Sequence, residues 1–277
     1  MAAPLRLAVR HETIYRYDAP ATYSIQYIRL TPRSNAAQRV VRWRLSAPGK
    51  LHETIDAFGN LTHVAVLDRA HSELRVGVSG EVESHDTEGL WPGGEEPQPP
   101  EIFLRATGLT RPDAALAEFA DRFRPRVARD RGAGLEALLG AVRDHIVYAQ
   151  GATDVATTAG EAWRARSGVC QDHAHVFLGC ARRLGVPARY VSGYLFAEGA
   201  QEMASHAWAE VWLDDRGWTG FDITNGRRAD QHHIRIAVGL DYLDASPVRG
   251  MRRGGGRESM HVRVFVTTGQ SPAEQQQ

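Results

Sequence analysis

Cys170 stands where a turn becomes a helix, in the stretch Gly168-Val169-Cys170-Gln171-Asp172-His173-Ala174-His175. Ala174, Phe177, Ala181 and Leu184 follow it at steps of four, three, four and three, so the spacing predicts a helix whose apolar face begins at the cysteine and which ends in Gly185-Val186-Pro187. A thiol at a helix N-terminus meets unpaired backbone N–H groups and the positive end of the helix dipole, and both favour thiolate. The chemistry this permits is nucleophilic attack. On the helix alone, a small side chain anchoring a core explains the pattern equally well, because free cysteine is among the most buried residue types.

Two further residues supply what a nucleophilic thiol needs. His206-Ala207-Trp208-Ala209-Glu210-Val211-Trp212-Leu213 alternates, which puts His206, Trp208, Glu210 and Trp212 on one face of a strand. Asp214-Asp215-Arg216-Gly217 turns the chain, and Trp218-Thr219-Gly220-Phe221-Asp222 begins the return strand. If Leu213 paired with Trp218, Asp222 would lie opposite Ala209 and point away from His206. Pairing Trp212 with Trp218 instead places Asp222 opposite Trp208, on the His206 face and diagonal to it, about 7–8 Å away at Cα. The longer loop, or a bulge with the same effect, is therefore expected. In that arrangement Cys170 attacks an acyl carbon, His206 takes the thiol proton and later gives one to the leaving amine, and Asp222 holds the imidazole tautomer. The backbone N–H of Cys170 is a natural oxyanion donor.

These segments resemble the bacterial transglutaminase-like superfamily, whose pattern is a Gly-x-Cys at a helix start, a His-Ala-Trp strand and an Asp-x-Thr-Asn segment. The matching residues are Gly168-Val169-Cys170-Gln171-Asp172, Ser205 to Val211 around His206-Ala207-Trp208, and Gly217 to Asn225 around Asp222-Ile223-Thr224-Asn225. The likeness is densest over residues 145 to 226. Ile223 departs from the pattern, standing where the family usually has proline. The resemblance implies an α+β fold with a papain/transglutaminase-like core, in which a helix carrying Cys170 packs on an antiparallel sheet carrying His206 and Asp222 as a triad. It also implies a β-rich region ahead of that core. Members include transglutaminases, cysteine peptidases and amidases, and inactive binding modules, so the family alone does not name the acyl donor or acceptor.

The elements that must position the triad are legible as runs. From residue 5 to about 85 short alternating segments such as Leu5-Arg6-Leu7-Ala8-Val9 and Val40 to Ser46 read as antiparallel strands, an N-terminal β-rich domain over 1–85. Residues 86–100, ending in Pro97-Gln98-Pro99-Pro100, have the composition of a linker. A catalytic domain is expected over 101–270 and a disordered Gln-rich tail over 271–277. In that domain Thr110 is expected to cap a helix bearing Leu116, Phe119, Ala120 and Phe123, and Leu135, Leu138, Leu139, Val142 and Ile146 form a second stripe. Thr158 and Glu161 stand in capping-box relation ahead of a third helix. Arg249 to Gly256 reads as a mobile basic loop, and the His232-His233 pair as part of a surface loop.

Composition limits the partners. Lys plus Arg equals Asp plus Glu at 33 each, so no global charge argues for nucleic acid or a membrane surface. The first ten residues are interrupted by Arg6 and Arg10 and do not form a secretory signal, and no apolar run is long enough for a membrane span, so a cytoplasmic protein is expected. The two cysteines, ten residues apart on one helix, cannot form a disulfide. Other readings have less behind them. His173 could approach the thiol but has no orienting carboxylate, and Cys170, Asp172, His173 and His175, with His206, match no usual zinc spacing. A non-catalytic interaction module is the alternative to an enzyme, and the complete triad argues against it. The expectation is an enzyme with no metal or organic cofactor, acting on a peptide or protein amide through an acyl-thioester that water or an amine resolves.

Overall fold

The computed structural model describes residues 3–91, 97–199 and 205–269. Five strands open the chain: β1 (Leu5–Ile28), β2 (Gln38–Ser46), β3 (Lys50–Ile55), β4 (Leu61–Leu67) and β5 (His71–Ser84). A helical segment follows, with α1 (Ala114–Asp121), α2 (Arg124–Arg129), α3 (Arg131–His145), the short strand β6 (Val147–Tyr148), α4 (Ala159–Ala165), the short strand β7 (Ser167–Gly168) and α5 (Cys170–Arg183). The last part comprises β8 (Ala188–Leu195), β9 (His206–Leu213), β10 (Gly217–Asp222), β11 (Arg227–Arg228), β12 (His233–Gly239), α6 (Tyr242–Ala245), β13 (Val248–Gly254) and β14 (Glu258–Thr268). The fold is α+β, with two antiparallel sheets. Among the described residues no helix is long and apolar enough to cross a membrane.

The first sheet runs β2-β5-β1-β4-β3. β1 buries Leu7, Val9, His11 and Thr13 and leaves Arg10 exposed, as alternation requires. An irregularity between Arg16 and Ala21 divides it, so its first half pairs with β5 and its second with β4. The other edge of each half is taken by the C-terminal strands: β14 pairs along Leu7 to Tyr17 and β13 along Ala21 to Ile28. Residues 248–268, expected within the second domain, thus complete the first sheet. The expected mobile loop at 249–256 is mostly β13. Its arginines read as loop because only one strand edge, and little core, holds them.

The second sheet runs β11-β10-β9-β8-β12. The helix α5 lies between it and α1, α3 and α4, touching β8 and β9 on one side and the three helices on the other. It is therefore buried all round from Gln171 to Arg182, not along one stripe. Its polar side chains are matched accordingly: Arg182 donates to the carbonyls of Ala188 (2.8 Å) and Leu240 (2.6 Å) and to Thr110 Oγ1 (2.8 Å). That bond corrects the expected cap, since Thr110 is buried beneath α5 and Asp113 caps α1, accepting from Leu116 N–H at 3.0 Å. The Thr158–Glu161 capping box of α4 forms as expected.

The segment expected as a linker begins as part of the fold. Leu90 bridges Thr219, and Trp91, buried, donates its N–H to the Trp218 carbonyl at 2.9 Å. Residues 92–96 of that segment and the tail at 271–277 lie outside the described residues.

Candidate active site

Cys170 is the first residue of α5 and is half-buried, whereas Cys180, one helix face further on, is completely buried and its thiol pKa is pushed up by that burial. The approach to Cys170 is fixed by the parallel pairing of β6 with β7, where Ala149 N–H donates to the Gly168 carbonyl at 2.9 Å. Gly168 has to be glycine: a Cβ there would lie 2.6 Å from Cβ and Oδ2 of Asp172. Asp172 uses that space to reach back, accepting from Val169 N–H (2.8 Å) and Thr153 Oγ1 (2.6 Å). Burial raises its pKa, and the bonds from Thr153 and Val169 act in the opposite direction.

The register of β9 and β10 is the one the chemistry required. Trp218 pairs with Trp212 and Gly217 with Leu213. Arg216 N–H closes the turn onto the Leu213 carbonyl at 3.0 Å, and Gly217 takes φ +86°, which is why glycine follows the turn. Asp222 consequently comes to the His206 face, and His206 Nε2 lies 2.9 Å from Asp222 Oδ2. His206 also interacts with the Cys170 thiol. Burial by itself would favour the neutral ring, but the hydrogen bonds to Asp222 and Cys170 outweigh it and push the His206 pKa up to about 10. The three residues predicted from sequence are thus brought together in the order thiol, imidazole, carboxylate.

Asp222 is completely buried and faces four donor groups from three residues. Besides His206, its Oδ2 accepts from Asn225 Nδ2 (2.7 Å) and from His233 Nε2 (3.0 Å), and its Oδ1 from Asn225 N–H (3.2 Å). Burial would raise its pKa, but the bonds from the two histidines hold it well below the usual carboxylate range. Ile223 is buried in the main core, and Gly226 N–H reaches its carbonyl at 3.2 Å. The absence of proline therefore leaves the turn closed and Asn225 in place.

His233 was not identified from the sequence and corrects the surface-loop expectation. It is completely buried at the start of β12, while its neighbour His232 is the more open one, stacked 6.0 Å from Phe196. The signal was its place as first member of an alternating run, hidden by the polar residues 227–232 before it. Trp208 is also fully buried, 6.1 Å from the His206 ring and 5.2 Å from that of His233. His173 cannot act as the base, because its Nδ1 and Nε2 face the carbonyls of Val169 (2.9 Å) and Ile146 (3.1 Å). His175 is buried and accepts from Tyr242 N–H at 3.1 Å.

Among the described residues the donor group close enough to hold a metal is not the rival zinc set but His206, Asp222 and His233, whose three donor atoms lie within 4.8 Å of one another. Four ligands around zinc at about 2.0–2.1 Å stand roughly 3.3 Å apart. Here each nitrogen is 2.9 or 3.0 Å from the carboxylate oxygen, the separation of a shared proton.

Residues 7–83 match the family model described as the bacterial transglutaminase-like N-terminal region, and residues 118–223 that of the transglutaminase-like superfamily. An uncharacterised protein of Mycobacterium leprae is 33% identical over 281 residues, covering 95% of this chain and 98% of its own. The chain belongs to the bacterial transglutaminase-like superfamily. An uncharacterised protein of Mycobacterium tuberculosis is also 33% identical, over 89% of this chain and 87% of its own. A protein-glutamine gamma-glutamyltransferase of Pseudomonas aeruginosa is 34% identical over 102 residues, 32% of this transglutaminase-like chain and 15% of the relative. Among solved structures, a putative cysteine protease from Cytophaga hutchinsonii superposes with a TM-score of 0.74 at 18% identity, covering 98% of this chain and 92% of the other, and shares the fold. The chemistry general to the superfamily is thiol-dependent acyl transfer.

Proposed function

We propose that this protein transfers the acyl group of a peptide or protein amide through an acyl-thioester on Cys170. The single observation that carries the reading is the continuous chain from the Cys170 thiol through His206 to Asp222 Oδ2, with a 2.9 Å contact between the last two. An imidazolium beside the sulfur favours thiolate at neutral pH. The thiolate attacks the acyl carbon, and the oxyanion that forms is met by the backbone N–H of Cys170 at the start of α5. His206 then gives its proton to the departing amine, the C–N bond breaks and the acyl-thioester remains. As a neutral base, His206 next takes a proton from water or from an acceptor amine, which attacks the thioester and restores the thiol. Asp222 holds the ring throughout and stabilises its charged form. The buried carboxylate and its donors favour this enzymatic reading over an interaction module, which has no use for them.

The test is direct observation of the intermediate. The protein is incubated with glutamine-containing and isopeptide-containing peptides, acid-quenched within seconds and analysed by mass spectrometry. An acyl adduct confined to Cys170, with equimolar release of ammonia or amine and at least 100-fold less of both in His206→Ala, is expected. Peptides that bind without any adduct or amine release, in a protein with an intact thiol, would establish the interaction module instead.

A further inference from the structure

The carboxylate of the triad has a second histidine on it, and the structure assigns His233 a positioning role: it holds Asp222 in the orientation that His206 requires. The inference rests on the acyl-transfer reading above. His233 approaches Asp222 Oδ2 at 3.0 Å from the side opposite its own Asp230, and both side chains of the pair are fully buried. Its Nδ1 lies 3.0 Å from both the backbone N–H and the carboxylate Oδ1 of Asp230. An ionised carboxylate can only accept, so Nε2 carries a proton, directed at Asp222 Oδ2. His233 thus donates to the same oxygen that anchors His206. The titratable groups around the pair are Cys170 on α5, His206 on β9, Asp222 on β10 and Asp230 ahead of β12, and the ring of Trp208 fills the remaining side.

The strand that carries His233 is itself fixed on both edges. One edge pairs with β8 from Leu195 to Tyr190. The other is met by two amide side chains from the first sheet. Gln38 donates to the Arg235 carbonyl (2.8 Å) and accepts from Arg235 N–H (2.9 Å), and Asn60 does the same with Val238 (2.7 and 2.8 Å). Each amide imitates one residue of a neighbouring strand, which ends the ladder without another strand. The N-terminal sheet thereby sets the position of His233, and through it the triad.

The test needs no substrate. The rate of Cys170 alkylation by iodoacetamide is followed against pH in the full-length protein, in His233→Gln and in His233→Asn. Glutamine can carry an N–H to the place of Nε2, whereas asparagine reaches only the Asp230 side. Loss of one hydrogen bond to a buried carboxylate is worth about tenfold in the stability of the charged pair, so the onset in His233→Asn should move up by about one pH unit. His233→Gln should stay near wild type. Superimposed profiles in both variants, with cooperative melting retained, would overturn the proposal. Since both variants alter a buried site, long-range proton–nitrogen NMR of the wild type gives a second reading: His233 must carry a proton on Nε2 at pH 7, and an Nε2 without one would overturn the assignment. A wild-type Cys170 no more reactive than an ordinary thiol would instead overturn the acyl-transfer reading itself, so the two failures are separable.

Discussion

Asp222 shows how a single side chain can be both costly to bury and necessary. An ionised carboxylate with no solvent contact is tolerable only when its lone pairs are matched, and three side-chain or backbone donors beyond His206 do so here. Replacing Asp222 by asparagine keeps the volume but removes the charge and turns one acceptor into a donor facing Asn225 N–H. The account predicts a fall in kcat of roughly 10³–10⁴-fold with KM changed little, measured on whichever amide forms the adduct. A kcat within tenfold of wild type would remove Asp222 from the mechanism. At this scale Cys170, His206 and Asp222 were legible in the sequence because each sits at a place with a pattern: a helix start, the head of an alternating strand, the end of its return. His233 was not, because its partner lies eleven residues away in sequence and on a strand separated from its own by two others in the sheet.

The elements were read with uneven success for physical reasons. The β9–β10 register could be reasoned out because side chains alternate strictly and, of the two pairings compared, one brings Asp222 to His206; Gly217 then supplies the positive φ at the end of the turn. The start and end of α5 were legible from Cys170 and Gly185, yet its burial on every side was not. The stripe from Ala174 to Leu184 records only the face against the sheet, while Asp172, His173, His175 and Arg182 are buried by bonding to backbone groups and to Thr110 and Thr153. The pairing of β13 and β14 with β1 was also out of reach. A strand edge has no sequence code for a partner more than 200 residues away, and the arginines of β13 look like solvent-facing loop.

For the molecule as a whole, the first sheet and the helix-bearing part are interlocked through groups that titrate. His11 on β1 contacts Tyr194 Oη of β8 at 2.7 Å and Thr13 Oγ1 at 2.8 Å, and burial pushes its pKa down to about 4. Burial likewise lowers that of His175, also to about 4. In the unfolded chain both titrate near 6.5. The unfolded state therefore binds more protons between those values, and stability falls as pH drops from about 6.5 to about 4, by on the order of 3 kcal/mol for His11. His206 acts in the opposite window. With its pKa raised to about 10, its contribution is complete below about 6.5 and is lost as pH rises towards 10. Urea unfolding should accordingly show greatest stability near pH 6.5–7, with a shallower acid limb in His11→Gln. Stability that continued to rise down to pH 4.5 would contradict the burial of these rings.

The central claim, a thiol activated by an imidazole, is tested most directly by the pH dependence of Cys170 alkylation in wild type and in His206→Ala, with buried Cys180 as the internal control in the same mass spectrum. The account predicts rapid single-site alkylation of Cys170 well below pH 8 in the wild type. In the variant the onset should move to the range of an ordinary thiol, pKa about 8.5. Identical profiles in the two proteins, or a wild-type Cys170 that reacts only above pH 8, would contradict it.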